Sequence, residues 1–194
     1  SLIKIHGNNH KALSSESIDH KKCRYEQLSK IFAKDNNFTI HDIGSGFGDY
    51  LKYLNHSHND KIFQYSGSDI VPEFIKECKN NFPKKNKFYL RDLSEKSFPE
   101  QYDYVVMSGV FHQIRNTKRK DWEEFAFVLI ENAFKMSKKG LAFNFVSPFV
   151  DFYKENIYYC DLTKLINMVS SKLTRFFEIN HSYPLYEFTF FIYH

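Results

Sequence analysis

Apolar and polar positions along the chain take turns between two rhythms. From Ser17 to about Ala33, Tyr25, Leu28, Ile31 and Phe32 recur at the three- and four-residue spacing of a helix. "NNFTIHDI" then crowds apolar residues into a short first strand, which runs into the glycine-rich turn "GSGFG". Asp49 to His56 returns to helical spacing with Leu51 and Leu54 inward, and "KIFQYSGSDI" predicts a second strand ending at Asp69. "VPEFIKECKNNF" is a helix with Pro72 in its first turn and Phe74, Ile75 and Cys78 on one face. "KFYLRDL" is a third strand, and "YDYVVMSGVF" has the apolar density of a buried central fourth. From Asp121 to Met136, Trp122, Phe125, Ala126, Leu129, Ile130, Ala133 and Phe134 hold a helical stripe, which Gly140 is expected to terminate. "LAFNFVS" is a fifth strand, Leu162, Leu165, Ile166, Val169 and Leu173 mark a further helix, and "RFFEINHSYPLYEFTFFIYH" reads as two strands around a Ser/Pro loop. Residues 1–14 are polar and expected to be loose.

Strands alternating with helices imply an α/β fold: a mostly parallel seven-stranded sheet with helices on both faces. The last two strands are too close in sequence for a parallel crossover, so they form a C-terminal antiparallel hairpin. The chain has 194 residues, the size of a single domain.

Composition narrows the setting. Hydrophobic residues at 42% and aromatics at 18% describe a folded protein. A net charge of +4 helps an anionic substrate approach but falls short of a committed nucleic-acid binder. Cys23, Cys78 and Cys160 are scattered without a CxxC pair, so neither a metal site nor a disulfide framework is expected. The odd count fits a reducing, cytoplasmic interior. No apolar run is long enough to span a membrane, and no signal segment opens the chain, although Ser1 in place of Met leaves a trimmed leader open.

The chemistry gathers at the strand ends, where parallel sheets bind ligands. The first strand ends in Gly44, Gly46 and Gly48, the second in Asp69 about twenty residues on, the third in Asp92, and the fourth in Ser108 and Gly109. A carboxylate at the second tip can accept from ribose hydroxyls. A dinucleotide site wants a third glycine where Asp49 stands, and a pyrophosphate would be repelled by Asp42 and Asp49. S-adenosylmethionine (SAM) has ribose and adenine but no phosphate, and it carries a sulfonium and an ammonium. The turn therefore suits SAM better than NAD. No GK[ST] follows the glycines, which excludes a P-loop.

On these residues the chain resembles the class I SAM-dependent methyltransferases. "HDIGSGFG" is similar to that family's first motif, "YSGSDIVPEFIKEC" to its acidic loop after strand two, "YLRDL" to its adenine-side motif and "YDYVVMSGVF" to its fourth-strand motif, with the terminal hairpin in the family's place; the likeness spans roughly residues 20–194. The resemblance implies SAM as cofactor and S-adenosylhomocysteine as product. It implies Asp42, Gly44, Gly46 and Gly48 at the methionine end, Asp69 on the ribose hydroxyls, Ile70 against the adenine, Asp92 on the exocyclic amine and Leu93 near the ring. Ser108 and Gly109 would offer carbonyls beside the ammonium and methyl, and Arg24 would meet the SAM carboxylate. Each has a plainer alternative: Asp42 capping local amides, Asp92 a surface turn, Arg24 a solvated helix charge.

The acceptor must lie past strands four and five. His112, after "SGVF", is the candidate general base, because imidazole titrates near neutrality; its alternative is a structural histidine. Gln113, Asn144 and Ser147 are candidates for orienting an acceptor, or for strand-end hydrogen bonds. "RNTKRKDW" sets Arg115, Lys118, Arg119 and Lys120 at a helix start, where cations oppose the dipole, so an anionic acceptor or a solvated charge run both fit. The fourth strand lacks an Asn-Pro-Pro-Tyr motif and a following Pro-Cys, which turns the reading from nucleobases to a small-molecule or glycan-type acceptor, on oxygen. The chain also resembles small methyltransferases of bacterial surface-polysaccharide pathways. The alternatives are an RNA methyltransferase using the basic run, a non-catalytic SAM-binding subunit, and an NAD-binding protein. Oligomeric state is open.

Overall fold

The computed structural model describes residues 18–114 and 116–194; the expectation for residues 1–14, the start of the first helix at Ser17, and Arg115 lie outside them. Helix α1 (Ile18–Leu28) continues as a 3-10 turn (Ser29–Phe32) into β1 (Asn37–Ile43). There follow α2 (Asp49–Ser57), β2 (Ile62–Asp69), α3 (Pro72–Asn81), β3 (Lys87–Leu90), β4 (Tyr102–Met107), α4 (Arg119–Met136), β5 (Ser137–Val146), α5 (Leu162–Lys172), β6 (Phe177–Asn180) and β7 (Glu187–Tyr193). The seven strands lie in the order β3-β2-β1-β4-β5-β7-β6, parallel except for β7, which runs antiparallel to both β5 and β6.

Period-two alternation in the central strands deals side chains to two cores. Val105, Met107, Leu141, Phe143, Phe145, Phe188, Phe190 and Ile192 meet Ala126, Leu129, Ile130 and Ala133 of α4 and Leu165, Met168 and Val169 of α5. Their neighbours in sequence, Tyr104, Val106, Ala142 and Phe191, join Leu28 of α1, Leu51 and Leu54 of α2, and Ile75 and Cys78 of α3 on the opposite face. Both faces are thus sealed by helices, which is why these strands are apolar throughout rather than alternating.

One sequence expectation fails. Gly140 does not end a helix: α4 stops at Met136, with the Ser137 hydroxyl donating to Phe134 O, and Gly140 stands inside β5. A Cβ there would meet Ile31 Cδ1 at 2.9 Å and the Ile192 carbonyl at 3.0 Å, so the glycine admits the 3-10 turn against the sheet. The fourth strand is also shorter than its apolar run; after Met107 the chain turns, with Gly109 at φ 68°.

β1 has β2 on one side and β4 on the other, so chain order reverses at its carboxyl end. That is the switch point, where loops from adjacent strands diverge and leave a crevice.

Candidate functional site

The crevice is a cleft of about 1410 Å³. One half is built by the turns after β1, β2 and β4: Asp42, Gly44, Gly46, Ile70, Ser108 and Gly109. The other half is apolar and aromatic, with Trp122, Phe125, Phe152, Tyr159 and Tyr186 among its walls. Tyr25 and Arg24 of α1 lie along it as well.

The turn after β1 is pinned by backbone. Gly44 and Ser45 N–H both donate to Ser68 O, at 2.8 and 3.0 Å. Asp69 braces the same turn: its Oδ2 accepts from Gly46 N and its Oδ1 from Val71 N, each at 3.0 Å. Asp69 thus stands just behind Gly46 and Ile70, tying together two loops that line the cleft. Gly48 faces elsewhere. It caps α2 at φ 72°, and a Cβ on it would strike the Phe82 ring at 2.6 Å, so glycine serves packing there and not the ligand side assigned to it from the motif.

Two other residues leave the expected site. Leu93 is 2% exposed within the core beneath α4. Asp92 is exposed and closes a local turn, accepting from Ser94 N–H and Oγ–H. Neither lines the cleft, because the chain bends away after Arg91, whose N–H donates to Asp69 O. Asp49 is held by Lys21 at 2.7 Å and Lys52 at 3.1 Å, so it is not the free carboxylate that the argument against a pyrophosphate assumed.

Asp42 is that carboxylate. It is 2% exposed, with its Oδ2 accepting from the Tyr65 hydroxyl at 2.7 Å. Burial pushes its pKa up to about 7, against the Tyr65 bond and with the nearby charges of Asp69 and Asp49. A buried acid with no cationic partner among the described residues, facing a glycine-lined crevice, has the chemistry to hold a cation. The residues therefore fit SAM, whose ammonium and sulfonium would relieve this carboxyl.

Arg24 does not stand free. Its Nε donates to both oxygens of Glu187 at 2.8 Å, and its Nη2 pairs with Glu187 Oε1. Glu187 opens β7 and in turn accepts from Asn144 Nδ2 at 2.5 Å. His112 lies beside them, 9% exposed, its Nε2 3.1 Å from Asn144 Nδ2. Burial lowers the imidazole pKa to about 4. Glu187, which joins Arg24, Asn144 and His112, escaped the sequence reading of the site. The one signal was a carboxylate within the otherwise apolar run "YEFTFFIY". Ser147 is a strand-end residue: its N–H donates to Tyr186 O and its Oγ accepts from Phe149 N. In the basic run, Arg119 is used internally, its Nη2 on Tyr159 O at 2.6 Å and its Nε on Glu123 at 3.2 Å, while Lys118 and Lys120 are exposed.

No described helix is long and apolar enough to cross a membrane. A methyltransferase domain family matches residues 41–133, from β1 into α4. "Putative methyltransferase Rv1506c" of Mycobacterium tuberculosis is 26% identical over 154 residues, covering 78% of this chain and 90% of that protein. Among solved structures, the N-methyltransferase NodS from Bradyrhizobium japonicum, in complex with S-adenosylhomocysteine, superposes with a TM-score of 0.64 at 14% identity, covering 97% of this chain and 93% of that one. Magnesium protoporphyrin IX methyltransferase from Synechocystis, also with bound S-adenosylhomocysteine, gives 0.62 at 13%, over 97% and 90%. At these identities the structural likeness is one of fold. With the domain match across the glycine turn and the order of the sheet, the chain carries a methyltransferase domain whose fold is that of the class I SAM-dependent methyltransferases.

Proposed function

We propose that the chain transfers the SAM methyl group to a small-molecule or glycan-type acceptor, on oxygen, with the acceptor in the aromatic half of the cleft. The observation that carries this reading is the division of one continuous cleft into a half of backbone turns and a carboxylate and a half of aromatic walls. Its volume, about 1410 Å³, exceeds what one drug-sized ligand ordinarily fills. In this reading Asp42 receives the ammonium, the turn at Gly44 and Gly46 follows the methionine chain, Asp69 takes the ribose hydroxyls on its remaining lone pairs, and Ile70 covers the adenine. Ser108 and Gly109 border the methyl.

Methyl transfer is an in-line displacement at an already activated carbon, so alignment and exclusion of water are what the protein must supply. The aromatic walls serve both. Flat apolar faces suit a ring, whether aromatic or the C–H face of a sugar. The relatives' own acceptors, magnesium protoporphyrin IX among them, support a small molecule without identifying it.

The test is S-adenosylhomocysteine formation across a panel of sugars, hydroxylated aromatics, carboxylates and amines. Phe152→Ala and Tyr186→Ala, both at exposed wall positions, should raise the KM of the productive acceptor by about 3–10-fold, the scale of a lost ring contact. The SAM Kd should stay within about twofold. Equal loss of SAM and acceptor affinity, or no turnover with any class, overturns the reading.

A further inference from the structure

We propose that Asn144 is a positioning residue that holds His112 as the neutral imidazole protonated on Nδ1, so that the ring meets the acceptor as a hydrogen-bond donor and not as a base.

The assignment follows from what each partner can do. Gly109 N–H can only donate, and at 2.8 Å it fixes the Asn144 atom facing it as the carbonyl oxygen. The amide nitrogen therefore faces the other way, where it meets Glu187 Oε2 at 2.5 Å and His112 Nε2 at 3.1 Å. An amide nitrogen only donates, so Nε2 must present its lone pair, and the ring's proton sits on Nδ1. Glu187 cannot reverse this by becoming a donor. The Arg24 guanidinium embraces it, and despite burial its pKa is held below the usual range, with the Arg24 and Asn144 contacts needing no charge on His112.

Protonating Nε2 would set an N–H against the Asn144 amide. Glu187 Oε2 is 3.7 Å away, beyond a hydrogen bond, and does not rescue the imidazolium. The charged groups acting on the ring are Glu187 from β7, which favours the cation, and Arg24 from α1, which opposes it. The Nδ1–Cε1 edge of the ring lies beside Gly109, where an added Cβ would be 3.9 Å from both atoms, next to the proposed position of the methyl.

The consequence for substrate rests on the acceptor lying against Ser108 and Gly109, as proposed above. An alcohol oxygen would find no proton acceptor in His112. A carboxylate or phosphate-type oxygen brings an unprotonated lone pair and receives the Nδ1–H. It attacks the methyl carbon, the carbon–sulfur bond breaks, and its electron pair remains on sulfur as the thioether of S-adenosylhomocysteine. The product is an ester, and no proton moves.

His20 of α1 also lines the cleft, so the first readout is taken at His112 itself. Long-range ¹H–¹⁵N spectra of the ¹⁵N-labelled protein from about pH 5 to about pH 8 report the ring tautomer. We expect His112 with a protonated Nδ1 and a bare Nε2 across that range. Asn144→Asp, which offers Nε2 an acceptor, should move the proton to Nε2 and raise the midpoint by at least about one pH unit. A wild-type ring protonated on Nε2, or one titrating near its ordinary midpoint, overturns the proposal even if the variant does not fold. In turnover, carboxylate or phosphate-type acceptors should outpace the matched alcohol by at least about tenfold, with kcat/KM flat within about twofold from about pH 6 to about pH 8. An alcohol acceptor whose rate limb disappears in His112→Gln would also overturn it. Failure of every acceptor would reject the transfer reading while leaving the tautomer result standing.

Discussion

Asp42 and His112 both line the cleft, and burial shifts their pKa values in opposite directions. Asp42 binds its proton more tightly folded than unfolded, its pKa raised to about 7, so its ionisation costs stability as pH rises. Asp42→Asn keeps an acceptor for Tyr65 and removes that cost. At pH 8 it should raise Tm by a few degrees in a melt, since about 1 kcal/mol is worth roughly 2–4 °C at this size. It should also weaken SAM by roughly 1–3 kcal/mol in calorimetry, the scale of a lost hydrogen-bonded charge. A variant with unchanged SAM affinity would remove Asp42 from the donor site. His112, at about 4, and His41, at about 3, are both depressed below the ordinary value of 6.5 by burial. For such groups the unfolded chain binds more protons, so their stability is present above about pH 6.5 and is lost as pH falls through about 4. Asp42 and Asp69, both raised by burial, pull the other way against three lowered imidazoles, His112, His41 and His58. Tm should therefore fall between about pH 6.5 and about pH 4, and His112→Gln should shallow that slope; an unchanged slope would count against a buried neutral ring.

At the scale of elements, the terminal hairpin does more than close the sheet. By running antiparallel, β7 sets Glu187 opposite Val146 at the carboxyl end of β5, beside Asn144 and within reach of Arg24 on α1. Arg24→Met alone leaves a buried carboxylate with only an amide partner, and should cost about 3–5 kcal/mol in urea unfolding. Arg24→Met with Glu187→Leu should recover much of that loss, because two apolar side chains need no solvation. A double variant as unstable as the single would show that packing, not charge, holds α1 here. In β5, Gly140→Ala should cost about 1–3 kcal/mol, since the added carbon meets a backbone carbonyl that cannot swing aside. It should leave the SAM Kd unchanged, as the position lies away from the cleft.

Over the whole molecule, a donor bound as proposed would link the ends of three central strands, so it should stabilise the fold as a unit. SAM at about a hundredfold over its Kd contributes roughly 2.7 kcal/mol by mass action, an expected Tm rise of about 5–10 °C. NAD at the same concentration should give none; a NAD shift matching that of SAM would contradict SAM as the donor.

The sequence by itself determined the elements, the seven-stranded mixed sheet and the strand-end turns that line one half of the cleft. Those signals are local: spacing of apolar side chains, a glycine turn after a strand, acidic residues at strand tips. The tertiary structure decided the rest. Gly48 follows the same motif as Gly44 and Gly46 yet packs against Phe82, and Asp49, though it lines the cleft, is taken up by ion pairs with Lys21 and Lys52. Asp92 and Leu93 end a strand as Asp69 and Ile70 do, but the bend after Arg91 carries them away. Arg24, Asn144, His112 and Glu187 come from four separate stretches and become one network only where α1, β5, the turn after β4 and β7 meet. Hydrogen bonding between residues so far apart depends on strand direction and register, and a linear pattern does not carry either.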